Sequence, residues 1–213
     1  MSSVAVIDYG MGNLHSIAKA LQHADSSVQV IISADPKVIQ TADRVVFPGV
    51  GAMRDCMQAL HELDLIDIIK RVAQDKPFLG ICLGMQALLT DSEENGGIAC
   101  LNLFPGHVRR FAEPLHDDQG QALKIPHMGW NRVKQKPHPL WQNIAQDSRF
   151  YFVHSYFAMP DHEQDSIASS DYPGPFSCAL AKDNLFAVQF HPEKSQTVGL
   201  QLLQNFLRWD GAV

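Results

Sequence analysis

The sequence lacks the marks of several protein classes. Its four cysteines, Cys56, Cys82, Cys100 and Cys178, form no Cys-x-x-Cys pair, so neither a zinc knuckle nor a dithiol redox centre is indicated. A chain of 213 residues also has enough core to fold without disulfide staples. Basic runs are missing: nothing exceeds Arg109-Arg110, and the formal net charge is −6. Nucleic acid and anionic membranes are therefore not expected as partners. No apolar run approaches the roughly 20 residues of a membrane span, and MSSVAVIDYG has neither the basic nor the long apolar region of a signal peptide. A reducing cytoplasm is the expected location. Among the ten histidines, His107, His116, His127, His138, His154 and His162 show no ligand spacing, so no metal and no cofactor is expected. Repeats, low-complexity segments and linkers are absent too, which predicts one domain over residues 1–213.

What is present is a globular pattern, 46% hydrophobic and 19% charged. Val4–Ile7, Val28–Ile32, Val45–Phe47 and Pro77–Ile81 are short apolar runs, separated by segments of helical spacing. Asn13–Ala24 carries Leu14, Ile17, Ala18 and Leu21 on one face, Met53 to Ala73 traces one stripe of a long helical region, and Met85–Leu89 starts another helix. After about Glu94 the pattern changes. His107–Phe111, Arg149–His154, Ser166–Ser169, Cys178–Ala181 and Leu185–Phe190 read as strands, with turns at 117–120 and 181–184, before a closing helix over Ser195–Trp209. The expected fold is α/β: a central, mostly parallel sheet flanked by helices, with mixed or antiparallel strands added in the second half.

Gly80-Ile-Cys-Leu-Gly84 follows an apolar strand and has the form of a nucleophile elbow. Glycines on both sides relieve Cβ clashes at a strained turn, so the central side chain projects into a cleft. A helix start at Cys82 favours its thiolate, and the Leu83 N–H becomes an oxyanion donor. A cysteine nucleophile needs a base and an orienting group. His191-Pro-Glu193, after the last strand, offers both: residues two apart in an extended segment project to one side, so Glu193 can hold the imidazole. Pro48-Gly-Val-Gly51, at the end of a strand, exposes backbone N–H groups without the lysine of a phosphate loop, which favours an oxyanion role.

PGVG, GICLGMQ and HPEKS in this order resemble the class I (triad) glutamine amidotransferases over essentially the whole chain. Asp8-Tyr-Gly-Met-Gly-Asn13-Leu14, Ile125-Pro-His-Met-Gly-Trp-Asn131 and Tyr151-Phe-Val-His-Ser-Tyr156 are similar to the glutaminase subunits of imidazole glycerol phosphate synthase, in histidine biosynthesis. The resemblance implies Cys82 as nucleophile, His191 as base and Glu193 as its orienter. It implies an oxyanion hole of Gly49, Val50 and Leu83, with the 49–50 peptide turning over to complete it. Glutamine would be held by Gly51, Gln86, Ser155 and Tyr156. Asn13, Trp130, Tyr151 and Lys194 would meet a (βα)8-barrel cyclase in a heterodimer. The cyclase would use channelled ammonia to form imidazole glycerol phosphate and an aminoimidazole carboxamide ribotide.

Two other classes of function are distinguishable. A stand-alone cysteine hydrolase or γ-glutamyl hydrolase of the same broad fold would share the elbow but have no reason to carry PHMGWN or YGMGN. A non-catalytic binding module would have no need of Cys82, His191 and Glu193 together. Cys56 and Cys178 read as small core hydrophobes, and His127 and His154 as packing or hydrogen-bonding residues.

Overall fold

A computed structural model describes residues 2–116 and 119–212; of the turn expected at 117–120, Asp117 and Asp118 lie outside the described residues. The first half winds as β1 (Ser3–Ile7), α1 (Leu14–Ala24), β2 (Gln29–Ser33), α2 (Pro36–Thr41), β3 (Arg44–Gly49), α3 (Met53–Glu62), α4 (Ile66–Asp75), β4 (Phe78–Cys82) and α5 (Leu83–Ala87). β1 pairs in parallel with β2 on one side and β3 on the other, and β4 extends the sheet beyond β3. The central strands are apolar at nearly every position because both faces are covered.

Strand alternation divides the core into two layers. Val4, Val6, Val46, Leu79 and Ile81 pack on one face with Ile17 and Leu21 of α1. Ala5, Ile7, Val45, Phe47 and Phe78 pack on the other with Met53, Cys56 and Leu60 of α3 and Ile69 of α4. Local signals start the helices. The Asn13 side chain accepts the Ser16 N–H at 3.4 Å, and Asp35 accepts that of Lys37 at 2.8 Å with Pro36 in the first turn.

The long helical region expected between Met53 and Ala73 is two helices. Asp64 takes φ 52°, the Leu65 N–H returns to the Leu60 carbonyl at 2.9 Å and that of Asp64 to His61 at 3.2 Å. That is a Schellman ending, which closes one helix while the hydrophobic stripe resumes on the next. Periodicity continues across the break because both helices cover the same sheet face.

The second half contributes β5 (Asp91–Ser92), β6 (Ile98–Ala99), β7 (Gly106–Arg110), β8 (His127–Arg132), β9 (Lys134–Gln135), β10 (Arg149–His154), β11 (Tyr156–Pro160), β12 (Ser166–Asp171), β13 (Pro175–Lys182), β14 (Leu185–Val188) and α6 (Gln196–Arg208). β14 joins β4 in parallel; β13, β11 and β7 then continue the sheet in antiparallel pairs. The mixed second half is thus as expected, although β14 stops at Val188 rather than Phe190. β8 is an unforeseen strand: Gly129 and alternating polar residues hide it in the sequence. It pairs with β10 as a separate ribbon, Trp130 opposite Tyr151 and His127 opposite His154.

α6 lies with α1 on the first face, burying Leu202, Leu203 and Phe206. Phe150, Phe152 and Phe190 fill the space between this face and the ribbon, Phe150 and Phe190 with ring centroids 4.1 Å apart. Truncating such a ring to alanine costs about 3–5 kcal/mol. No helix among the described residues is long and apolar enough to cross a membrane.

Candidate active site

The chain leaves β1 toward β2 and returns to β3 on the opposite side, which opens a crevice at the carboxyl ends of the central strands. Gly49 at the end of β3 stands in register with Cys82 at the end of β4. Cys82 adopts φ 55° and ψ −111°, a conformation costing a non-glycine residue about 1–3 kcal/mol. Packing holds it there: a Cβ on Gly84 would collide with the Phe47 carbonyl oxygen, so glycine alone lets the start of α5 settle against β3.

His191 reaches Cys82 from the other side. Its Nδ1 lies 2.8 Å from Glu193 Oε1, with both side chains almost fully buried. The expected pairing is present, but its geometry differs from the expected extended segment. Pro192–Lys194 form a single 3-10 turn, and that turn folds the carboxylate back onto the ring. Ser195 ties the turn down: its hydroxyl donates to the His191 carbonyl at 2.7 Å and accepts the Tyr151 N–H at 2.9 Å. The His191 N–H donates to the Tyr151 carbonyl at 2.9 Å, stitching the turn to β10. On its outer side α6 closes onto Pro192, possible only because Gly199 has no Cβ to meet the Pro192 carbonyl.

Charge on His191 follows from these neighbours. Burial opposes an imidazolium, but Cys82 and Glu193 on its two sides outweigh it and raise the pKa to about 10. His191 Nε2 is buried and has no hydrogen-bond partner among the described residues. A protonated ring there can serve as a proton source beside the Cys82 sulfur. Burial pushes the thiols of Cys56 and Cys100 up to about 12, and that of Cys178 upward as well, so they behave as core groups.

A cavity of about 300 Å³ opens over the sulfur. Val50, Gly51, Cys82, Leu83, Gln86, Ser155, Tyr156 and His191 all line it, so most of the expected site converges. Gly49 is buried against the Tyr9 hydroxyl and Leu83 rather than in the wall. The Tyr9 hydroxyl donates to the Pro48 carbonyl at 2.8 Å, anchoring this loop from below. The cavity also includes Glu94 and His154, which the sequence reading did not assign to the site. Glu94 sits in a Gly-rich loop without a motif, and its carboxylate accepts the Met53 N–H at 2.9 Å. Gln189 was missed too. The only available signal was one polar residue at the end of an apolar strand.

Of the residues expected at a partner face, three cluster. The Trp130 and Tyr151 ring centroids are 6.1 Å apart at 77°, and Lys194 Nζ lies 6.0 Å from the Tyr151 centroid. Trp130 is 41% exposed and its neighbour Met128 62%, an apolar surface on β8. Asn13 is exposed at the start of α1, on the loop whose Gly12 and Met11 pack against Gly49 and Gly51.

His127 and His154, expected as hydrogen-bonding residues, bond each other. His127 Nδ1 lies 2.9 Å from His154 Nε2, and His154 Nδ1 lies 2.8 Å from the Tyr156 carbonyl. Asn131 Nδ2, a donor, faces His127 Nε2 at 3.2 Å. The sequence of donors and acceptors fixes both rings as neutral tautomers with hydrogen on Nδ1. Burial lowers their pKa values to about 4 and about 3.

Comparison with known proteins shows the family and the fold. The family model of class I glutamine amidotransferases matches residues 5–209. The imidazole glycerol phosphate synthase subunit HisH of Methylococcus capsulatus is 64% identical over 99% of this chain and 98% of its own. The HisH subunit of Pseudomonas syringae pv. syringae is 56% identical over 99% of both chains. Among solved structures, a glutamine amidotransferase superposes with a TM-score of 0.72 at 14% identity, covering 96% of this chain and 97% of that one. Another, from Thermotoga maritima, gives 0.58 at 17% identity over 90% and 76% of the two chains. At such identities the structures speak for the fold alone.

Proposed function

The chain belongs to the class I glutamine amidotransferases and, within them, to the HisH subunits of imidazole glycerol phosphate synthase; from that premise we propose that Cys82, His191 and Glu193 hydrolyse glutamine and that the ammonia passes to a (βα)8-barrel cyclase partner. The observation that carries the site assignment is the buried His191–Glu193 pair, 2.8 Å apart, on the wall of the cavity that holds the Cys82 sulfur.

The chemistry follows from those positions. Cys82 as thiolate attacks the carboxamide carbon of glutamine. The Leu83 N–H, with the peptide groups of Gly49 and Val50, receives the developing oxyanion, each well-placed donor contributing about 3–4 kcal/mol. His191 protonates the leaving nitrogen, ammonia departs, and a glutamyl thioester remains. Water, deprotonated by the now neutral His191, attacks the thioester carbon. Collapse releases glutamate and restores the thiolate and imidazolium. Gly51, Gln86, Ser155 and Tyr156 hold the amino-acid end. Glu94, the one carboxylate among the described residues lining the cavity, faces its α-ammonium.

Free ammonia is largely protonated in neutral water and loses its nucleophilicity, which favours direct transfer to a docked acceptor site. The Trp130, Tyr151 and Lys194 surface, with Asn13, is the docking face in this reading, and the pair works in the cytoplasm. Glutamate release is the test, from the chain alone and with the cyclase plus its nucleotide ligand. Low activity alone, a large rise in the mixture and none with Cys82→Ala are the expected outcomes. Hydrolysis indifferent to the cyclase would remove the partner; no hydrolysis under any condition would remove the site assignment.

A further inference from the structure

A fully buried carboxamide that the triad chemistry does not use lies against the nucleophile. Gln189 stands between β14 and the His191 turn, and its backbone N–H donates to the Cys178 carbonyl at 2.9 Å. Its side-chain Nε2 donates to Cys82 Sγ at 3.7 Å, and its Oε1 accepts from Gln86 Nε2 at 2.9 Å. Gln86 spends its second hydrogen on the Tyr156 carbonyl, also at 2.9 Å. With both hydrogens used, Gln86 has only its carbonyl oxygen left to offer a ligand in the cavity it lines.

Only one orientation of Gln189 satisfies these partners. Turned over, its oxygen would face the sulfur and its nitrogen would meet the Gln86 nitrogen, donor against donor. A purely structural residue here would be an apolar one, like its neighbours in β14, since burying an amide is unfavourable unless every bond is made. The amide is instead aimed at the reacting atom. A hydrogen bond donated to sulfur is stronger to a thiolate than to a thiol, because it is then assisted by charge.

We propose that Gln189 is a further residue of the active site: its N–H stabilises the Cys82 thiolate while its carbonyl fixes the Gln86 amide for substrate. This rests on the reading of Cys82 as nucleophile. One amide thereby joins the nucleophile to the substrate-binding wall. The joint continues outward, because the Tyr156 carbonyl that anchors Gln86 also takes the His154 hydrogen; His154 in turn is bonded to His127, and His127 to Asn131, both on β8.

The test is the pH dependence of Cys82 alkylation by iodoacetamide, followed by mass spectrometry of the Cys82 peptide in the full chain. The ionisable groups around that sulfur are His191 with Glu193 behind it, Tyr9 from the loop after β1, and Glu94, His154 and Tyr156 across the cavity. All are unchanged in Gln189→Leu and Gln189→Glu. Loss of the donor in Q189L is expected to raise the alkylation midpoint by about one pH unit. Q189E, which sets a carboxylate oxygen against the sulfur, is expected to raise it further. With the cyclase present, kcat/KM for glutamine should fall about 10-fold or more in both. Q189E is isosteric and keeps the oxygen that Gln86 needs, so it retains the test if Q189L does not fold.

A wild-type alkylation profile in a variant with wild-type melting temperature would overturn the proposal. So would lost activity with an unmoved midpoint, which would make Gln189 structural. A shifted midpoint in an enzyme that releases no glutamate from glutamine would uphold the Gln189 contact while removing the glutamine reading.

Discussion

His191 on one wall of the cavity, and the buried His127–His154 pair that reaches it through His154, are driven to opposite charge states. His191 has a carboxylate 2.8 Å away and the Cys82 thiol on its other side, and its pKa rises to about 10. His127 and His154 are bonded to each other, to Asn131 and to a peptide carbonyl, all uncharged, and their values fall to about 4 and about 3. Burial disfavours the imidazolium in all three. What differs is whether an opposite charge is supplied, and only the turn after β14 supplies one. One side of the cavity is therefore equipped to move a proton. The other holds backbone and amides in place with neutral bonds.

The comparison breaks most completely at Glu193. Glu193→Gln should leave His191 in the same position but without its charge partner, lowering kcat about 10³- to 10⁴-fold. The His191 pKa, followed by NMR titration, should fall by about 1–3 units toward the range of its neutral counterparts. Unchanged titration would mean that Cys82 alone sustains the imidazolium.

Acid separates the two groups next. His127 and His154, with buried His138 (also lowered to about 4), bind protons more readily in the unfolded chain. Their contribution is complete above pH ~6.5 and is lost as pH falls from there toward 4 and 3. Stability should decline there by about 1.4 kcal/mol per pH unit for each ring affected. His191 behaves inversely: its raised pKa contributes fully below about 6.5 and is lost as pH rises through about 10. Denaturant melts from pH 4 to 10 should show a maximum between the two flanks. A curve flat on its acid side would contradict the neutral buried rings.

The smallest effect sharpens the structural side of the comparison. His154→Phe keeps an aromatic ring of similar shape but leaves the His127 Nδ1 hydrogen unpaired, costing about 1–3 kcal/mol and lowering Tm by about 2–4 °C per kcal/mol in a chain of this size. Since Tyr156 also anchors Gln86, KM for glutamine should rise more than kcat falls. A variant equal to wild type in both respects would leave the His127–His154 bond without function.

The features legible in the sequence are those built from neighbours along the chain. The elbow at Cys82, the His191–Glu193 pair, the PGVG loop and the parallel half with its helices each leave a signature within a few residues, because glycine placement, strand runs and helix periodicity are local. Misreadings arose where local signals conflicted with packing. The Met53–Ala73 stripe continued through a Schellman ending because two helices cover one sheet face. Likewise β8 escaped notice because it is a half-exposed ribbon with Gly129 inside it.

By itself, then, the sequence determined the elbow at Cys82, the closeness of His191 to Glu193 and the family to which the chain belongs. Only the tertiary structure decided what surrounds them. Glu94 reached the cavity from a loop without a motif, Gln189 met Gln86 across 103 residues, and Gln86 met Tyr156 across 70. Such contacts follow from the order and register of strands in the sheet. A residue's neighbours along the chain carry no record of which side chain the fold will set against it.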